Sequence, residues 1–268
     1  METVAHHGRT TAYRVSSGDG DGPVALYVHG SGATHRAWAN QYAPSGPTRP
    51  AAALDLSGHG ESDDIDSPPG PETLAAYAAD VVAVARAVDA DVLVGNSLGG
   101  AVAQWVTLET DWRPEALVLV GTGPTLPVFD GLRDWLETDF DRAVAFLHGR
   151  DRLFHDADGE LAARSREEMR ETGQAVTRRD FLTSHQFDVA SRLGDVDVPT
   201  LAVCGEHDTL TPRSYHERLA SEIPAGEFAV IPDAAHLAML EQPAVFNETV
   251  QDFLAARLSE GESGQSSQ

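Results

Sequence analysis

Val92-Leu93-Val94-Gly95-Asn96-Ser97-Leu98-Gly99-Gly100 is the segment of this chain that says most about its architecture. An apolar run typical of a buried strand ends in G-x-S-x-G, and an alanine-rich helical pattern follows at residues 101–105. A strand that turns this sharply into a helix holds Ser97 in a strained backbone conformation at the edge of a sheet. We predict that Gly95 and Gly99 are glycines because two backbone segments approach there too closely for a Cβ atom. The helix N-terminus behind Ser97 offers free N–H groups where an oxyanion would form.

Short β-type runs alternate with helical patterns along most of the chain. This rhythm predicts an α/β fold with a mostly parallel, doubly wound sheet between two layers of helices. Residues 10–15 alternate in the manner of an edge strand, and a long amphipathic helix is predicted over residues 72–89. The other predicted strands are 24–28, 51–56, the run at 92–94, 116–120, 200–204 and 228–232.

The rhythm is interrupted between Pro124 and Gly194, where the pattern is helical and charged, without a clear strand. We interpret residues 124–194 as a helical cap inserted over an α/β core formed by residues 1–123 and 195–258. Peripheral helices with no part in binding are the alternative. Residues 259–268 are polar and small and predict a disordered tail. We expect most of the cap's seven aromatic side chains to pack in its own core: Phe129, Trp135, Phe140, Phe146, Phe154, Phe181 and Phe187.

The charge balance is extreme, with 42 acidic against 19 basic residues, a net charge of −23 and no lysine. An acidic surface can repel nucleic acid and anionic membranes and favour a cationic partner. Adaptation of the whole surface to very high salt is the other interpretation, because at 1 M salt the Debye length is about 3 Å and screens the self-repulsion. The acidic residues are scattered along the chain, which favours a halophilic protein that binds neither nucleic acid nor membranes.

The absence of disulfide, signal-peptide and membrane-span patterns indicates the compartment in which we expect the protein. The single cysteine, Cys204, excludes an internal disulfide and lies in an apolar run typical of a buried, inert thiol. The first residues lack the basic segment followed by an apolar segment that is typical of a signal peptide. No apolar run approaches the 18 residues that a membrane-spanning helix needs. We therefore expect a cytoplasmic monomer or homodimer.

Two loops that carry acidic residues and histidine follow neighbouring predicted strands. Gly205-Glu206-His207-Asp208 comes after strand 200–204, and Asp233-Ala234-Ala235-His236 comes after strand 228–232. Both loops fall at the carboxyl edge of the sheet, where open α/β sheets bind their ligands and where Ser97 is also expected.

A serine hydroxyl is a weak nucleophile, which needs a base that is itself oriented by a carboxylate. We predict Ser97 as nucleophile, His236 as base and Asp208 as acid. Glu206 and Asp233 are the rival acids, although either can instead cap a turn or a helix.

Nucleophilic attack on a carbonyl also needs two donors for the developing oxyanion. The Leu98 N–H, directly after the nucleophile, is one candidate. The other is expected in the loop His29-Gly30-Ser31-Gly32, where we predict the Ser31 N–H, with Gly32 as the alternative. We expect His29 to support this loop by hydrogen bonds to backbone; a role as base is the alternative.

With these motifs the chain resembles the α/β-hydrolase fold superfamily, in its single-domain form with a helical cap. The resemblance implies Ser97 as nucleophile, Asp208 as acid and His236 as base. It also implies Ser31 and Leu98 as oxyanion donors. The matching segments lie between about residues 10 and 257 and comprise the Ser97 turn, 29–32, 55–62, 198–201, 205–208 and His236.

The resemblance implies a serine hydrolase that cleaves a small carboxylic ester or lactone through an acyl-enzyme intermediate, with a small-molecule substrate. Alternatives within the superfamily are peracid formation and carbon–carbon bond hydrolysis in vinylogous diketones, for which Arg192 is a candidate cap arginine. Dehalogenase chemistry is disfavoured because those relatives carry Asp where this chain has Ser97. A non-catalytic ligand-binding member is the alternative from another class.

No metal or organic cofactor is expected, since no P-loop, dinucleotide fingerprint or zinc motif is present.

Overall fold

In the computed structural model, eight strands form one sheet in the order β1-β2-β4-β3-β5-β6-β7-β8. The structure describes residues 1–16, 22–43, 46–48, 50–156 and 159–264, with side chains through residue 258. Strands β3 to β8 pair in parallel, while β1 and β2 join the β4 side as antiparallel strands. The predicted mostly parallel sheet is confirmed. The strands are β1 Glu2–His6, β2 Arg9–Ser16, β3 Ala25–Val28, β4 Ala51–Leu54, β5 Val92–Asn96, β6 Ala116–Val120, β7 Thr200–Gly205 and β8 Gly226–Ile231.

One edge of the sheet differs from the prediction. The edge strand on this side is β1, and β2, which was predicted as the edge, lies inside it. The chain reverses between them at His7 and Gly8, both with positive φ. Strand β1 is half exposed and polar, so its sequence lacks the apolar alternation by which strands are recognised.

Helices cover both faces of the sheet. They are α1 Pro71–Ala87, α2 Leu98–Glu109, α3 Asp130–Thr138, α4 Phe140–Leu147, α5 Glu160–Thr172, α6 Gln174–Gln186, α7 Arg213–Glu222, α8 Ala238–Glu241 and α9 Pro243–Gly264, with 3-10 helices at His35–Trp38 and Ala190–Asp195. No helix of the described residues has the length and apolar character that crossing a bilayer requires.

The core consists of two apolar clusters, one on each face of the sheet. Successive side chains of β5 point to opposite faces, so Leu93 packs in the cluster that includes α1 and α2. Val92 and Val94 pack in the other cluster, which includes α9 and the helices between β6 and β7. Full burial of such a side chain contributes about 1.5–3 kcal/mol to stability, so the two faces together hold the strand ends in a fixed arrangement.

Four helices, α3 to α6, lie between β6 and β7, in the segment predicted as a cap. Thr125 and Asp188 form an isolated antiparallel bridge, and the Val189 N–H donates to the Pro124 carbonyl at 2.9 Å, so the two ends of this insertion are tied together. The tail predicted from residue 259 overlaps the end of α9, which reaches Gly264, and residues 265–268 lie outside the described residues.

Candidate active site

Ser97 lies at the junction of β5 and α2 with φ 54° and ψ −117°, a conformation that non-glycine residues rarely adopt. A Cβ on Gly95 would lie 2.2 Å from the Gly99 carbonyl oxygen, and one on Gly99 would lie 2.4 Å from the Val28 carbonyl oxygen. These approaches confirm the predicted need for glycine at both positions. The turn therefore presents a partly exposed Ser97 side chain at the carboxyl edge of the sheet.

Asp208 and His236 follow β7 and β8 and meet at the same edge. The His236 Nδ1–H donates to Asp208 Oδ2 at 2.9 Å, and both side chains are buried. The Thr211 hydroxyl donates to Oδ2 at 2.6 Å, and the amides of Leu210 and Thr211 donate to Oδ1 at 2.8 and 2.9 Å. With Nδ1 engaged, Nε2 is the imidazole nitrogen left for a proton from Ser97.

The environment of Asp208 keeps its carboxyl ionised. Burial by itself raises the pKa of Asp208, but the His236 imidazole and the hydrogen bonds from His236 and Thr211 outweigh burial. The pKa therefore lies below its ordinary value. An ionised Asp208 can hold the imidazole in one orientation and one tautomer.

The rival carboxylates lie elsewhere. Glu206 Oε2 accepts the Asp233 amide at 3.4 Å, a contact within the surface loops. Among the described residues, Asp208 supplies the only carboxylate that bonds to His236. The structure thus brings together the acid and base that were ranked first.

The hydrogen bonds of the loop 29–32 distinguish between Ser31 and Gly32 as the second oxyanion donor. The Gly32 N–H donates to Asp180 Oδ2 at 3.0 Å and is therefore occupied. Within the described part of the chain, no acceptor is recorded for the N–H groups of Ser31 and Leu98. His29 supports this loop as expected: its ring bonds to the Gly30 carbonyl at 2.8 Å and accepts the Leu56 amide at 3.1 Å.

A buried ion pair, which the sequence analysis missed, fixes the same loop from the inserted helix α6. Asp180 accepts hydrogen bonds from His59 Nε2 at 2.9 Å, from the Tyr77 hydroxyl at 2.7 Å and from the Gly32 N–H. Burial raises the pKa of Asp180, yet His59 and Tyr77 outweigh it and leave the pKa low. Burial likewise lowers the pKa of His59, but Asp180 overrides it and leaves the pKa raised. No sequence signal pointed to Asp180, which follows two arginines on a polar helix.

The segment between α4 and α5 ties the acid and base loops together. The amides of His236 and Leu237 donate to the carbonyls of Arg152 and Leu153 at 3.1 and 3.0 Å. The Thr209 amide, next to Asp208, donates to the Asp151 carbonyl at 3.1 Å.

Ser97 and His236 line one cavity of about 300 Å³, together with Ser31. Its other walls are mainly apolar and come largely from the insertion between β6 and β7, including Leu126, Leu132, Met169 and Phe181. This size and character suit a small molecule with an apolar part.

The cap aromatics divide between two roles. Phe129, Phe146 and Phe181 line the cavity, and Phe129 is 48% exposed. Phe154 and Phe187 are buried away from it. Most of the seven do pack in apolar clusters, as expected, and lining the cavity is an additional role for Phe146 and Phe181. The cluster on the α9 face includes or contacts Trp135, Phe140, Phe146, Phe154 and Phe181, and the other cluster includes Phe187.

The prediction that Arg192 is the cap arginine of the site is wrong. Its exposed guanidinium pairs with Glu109 and with Asp195, and it does not line the cavity. The arginine in the cavity wall is Arg152, whose guanidinium lies 3.5 Å from the centre of the Phe146 ring.

Comparison with known proteins places this site in context. The family model of the alpha/beta hydrolase family matches residues 25–249. A pimeloyl-[acyl-carrier protein] methyl ester esterase from Pectobacterium atrosepticum is 28% identical, covering 91% of this chain and 98% of that protein. A 2-hydroxy-6-oxo-6-phenylhexa-2,4-dienoate hydrolase from Burkholderia cepacia is 27% identical, and the match covers 91% of this chain and 92% of that protein. The structure of a thermophilic esterase aligns with a TM-score of 0.83 at 31% identity, covering 95% of this chain and 97% of that one.

Proposed function

Because the chain belongs to the alpha/beta hydrolase family, we propose that it is a serine hydrolase that cleaves a small carboxylic ester or lactone. The observation that carries the proposal is the position of His236. Its ring bonds to the ionised Asp208 at 2.9 Å and lines the same cavity as Ser97. A nucleophile, a base and an orienting carboxylate in this relation are the requirements of acyl transfer.

The reaction then proceeds in two halves. His236 Nε2 takes the proton from Ser97 Oγ as the oxygen attacks the ester carbonyl, and the N–H groups of Ser31 and Leu98 stabilise the tetrahedral anion. His236 gives the proton to the leaving alcohol, which departs and leaves an acyl-enzyme. A water molecule, deprotonated by His236, attacks this ester, and the carboxylic acid is released as Ser97 regains its proton.

The substrate class rests on the cavity and on the relatives. The mainly apolar walls favour an acyl group of modest size. The esterases among the relatives act on ester bonds by name, and a lactone presents the same bond in a ring.

One observation favours carbon–carbon bond hydrolysis as a second candidate. Among the described residues, no carboxylate lies within ion-pair distance of Arg152, although most other arginines of this acidic chain have such a partner. Arg152 donates from Nη1 to the Phe146 carbonyl, and without a carboxylate partner among the described residues it is a cation in the cavity wall that can attract an anionic group on a substrate. A dienoate substrate carries such a group, and the Burkholderia cepacia relative is named for one.

Turnover of p-nitrophenyl acetate and butyrate in molar KCl tests the proposal. We expect Ser97→Ala to lower kcat on the order of 10⁴-fold or more, because the nucleophile is lost while the oxyanion donors remain. Ser221→Ala, which removes an exposed hydroxyl on α7, is the matched control and keeps full activity.

Three results separate the alternatives. Equal turnover by Ser97→Ala and the parent enzyme refutes the serine mechanism. Faster Ser97-dependent turnover of 2-hydroxy-6-oxo-6-phenylhexa-2,4-dienoate than of the esters favours the second candidate. Ligand binding without any turnover identifies a non-catalytic member of the fold.

A further inference from the structure

A cluster of metal-ligand side chains lies just outside the cavity wall. Asp151, His155 and His207 each offer one ligand atom, and these atoms lie within 4.8 Å of one another. The His155 and His207 rings are stacked, with centroids 4.0 Å apart and planes 14° apart. His155 Nδ1 also contacts Asp151 Oδ1 at 2.6 Å. No sequence motif marks this group, because its two histidines are distant in the chain and meet only in the fold.

Solvent can reach all three side chains. They are 38%, 26% and 34% exposed for Asp151, His155 and His207, so an ion can enter without opening the fold. A fourth donor, a second carboxylate oxygen, is near, since Glu206 Oε2 lies 3.9 Å from His207 Nε2. The net charge of −23 also raises the local concentration of cations around the protein.

The backbone under the cluster is held in place by hydrogen bonds from its neighbours. The Thr209 amide donates to the Asp151 carbonyl at 3.1 Å, and the His207 amide donates to the Ala234 carbonyl at 2.9 Å. The His155 amide donates to Glu241 Oε1 at 2.9 Å. Because the backbone is fixed, only side-chain rotations are needed to bring the three ligand atoms around one ion.

The donor set favours a transition metal such as Zn²⁺ over the cations that prefer oxygen. Two imidazole nitrogens and one carboxylate oxygen form a common ligand set of Zn²⁺, whereas Mg²⁺ and Ca²⁺ prefer oxygen alone. Bond lengths of about 2.0–2.1 Å in a tetrahedral site separate the ligand atoms by about 3.3 Å. The widest spacing has to contract by roughly 1.5 Å at most to reach that value, and the 2.6 Å contact between His155 Nδ1 and Asp151 Oδ1 has to widen.

We propose that Asp151, His155 and His207 form a site for one Zn²⁺ ion, with water completing the coordination. The ion joins the segment between α4 and α5 to the loop that carries Asp208, since His207 directly precedes Asp208. It braces the acid loop from outside the cavity and takes no part in the reaction.

Isothermal titration of the metal-free full chain with ZnCl2 tests the site. We expect saturable binding of one ion per chain and a higher melting temperature with zinc, because zinc binds the folded state. His155→Ala and His207→Ala should each weaken binding by at least about tenfold, since changes to groups that only support a ligand already cost 10–100-fold. Asp151→Asn, which keeps the shape of the side chain, should weaken it as well.

His7→Ala, which removes an exposed histidine on the β1–β2 turn, is the matched control and keeps the parent affinity. Melting curves without zinc establish that each variant is folded. Zinc affinity unchanged in both His155→Ala and His207→Ala, or the absence of a one-to-one site in the parent, would overturn the proposal. Ser97→Ala binds zinc like the parent, so the outcome is independent of the proposed reaction.

Discussion

Four donors converge on Asp208, and this is the residue on which the proposed chemistry depends. Three of them, two amides and the Thr211 hydroxyl, come from the turn that follows the aspartate itself. They fix the carboxylate whether or not His236 is present. The loop therefore fixes the carboxylate in the position that the imidazole contacts. Burial raises the pKa of Asp208, and His236 together with the Thr211 hydrogen bonds lowers it below its ordinary value.

Replacing this carboxylate by an amide tests its role. Asp208→Asn can present an N–H to His236 Nδ1, which forces the proton onto Nε2 and removes the acceptor for the Ser97 proton. We expect kcat for p-nitrophenyl butyrate to fall by about 10⁴-fold. Asp233→Asn is the matched control, because Asn tolerates the positive φ at that position as well as Asp does. Equal losses in the two variants would contradict the assignment of the acid.

For single residues, the sequence was sufficient to predict those site residues that lie in loops just after the ends of predicted strands. Ser97 comes directly after β5, and Asp208 and His236 lie in the loops that follow β7 and β8, so the edge where they meet is set by topology. Asp180 and Arg152 could not be found in this way. Their neighbours are chosen by how the inserted helices pack, and the pattern of a charged helix does not say which charge turns inward.

Helix α6 is the element that links the insertion to the oxyanion loop. Its Asp180 accepts hydrogen bonds from His59 and from the Gly32 N–H, and all three groups are buried. Arg179, the residue before it, pairs instead with the half-exposed Asp64. Adjacent charges on one helix thus make one fully buried ion pair and one pair whose carboxylate is exposed while its arginine is largely buried.

This contrast gives a stability test. Asp180→Asn leaves the buried His59 without its counter-charge, and we expect a loss of about 3–5 kcal/mol in the free energy of unfolding. Asp64→Asn, the matched substitution at a carboxylate that is itself 55% exposed, should cost less, about 1 kcal/mol. Urea unfolding in molar KCl measures both. Similar losses would mean that the buried pair does not anchor α6.

Secondary structure was predictable where periodicity was strong. Strand β6 was placed at its observed bounds, and α1 begins and ends within two residues of the prediction. Strand β1 was missed because it is defined by pairing with β2 and has no buried apolar face that a sequence pattern could reveal. The individual helices α3 to α6 could not be delimited, since their apolar residues serve two surfaces, the cavity and the insertion's own core.

For the whole molecule, the balance between core and surface charge determines the conditions under which the fold is stable. The two apolar clusters supply an ordinary core, while the surface carries an excess of carboxylates over arginines. Several arginines are already used in exposed pairs along a helix, such as Arg164 with Glu160 and Arg218 with Glu222. Such pairs contribute only about 0–1 kcal/mol each and cannot offset the repulsion among the remaining acids.

We therefore propose adaptation to high salt and expect the thermal unfolding midpoint to rise as KCl increases from about 0.1 M to several molar. The Debye length shortens from about 10 Å to about 3 Å at 1 M, which screens the repulsion between carboxylates that are not in contact. Screening also weakens the exposed ion pairs, but these contribute less than the repulsion that is removed. Sucrose is the control, because it favours the compact state without screening charge. A midpoint that stays constant or falls in KCl would show that the acidic surface is not an adaptation to salt, and the charge would then need a cationic partner to explain it.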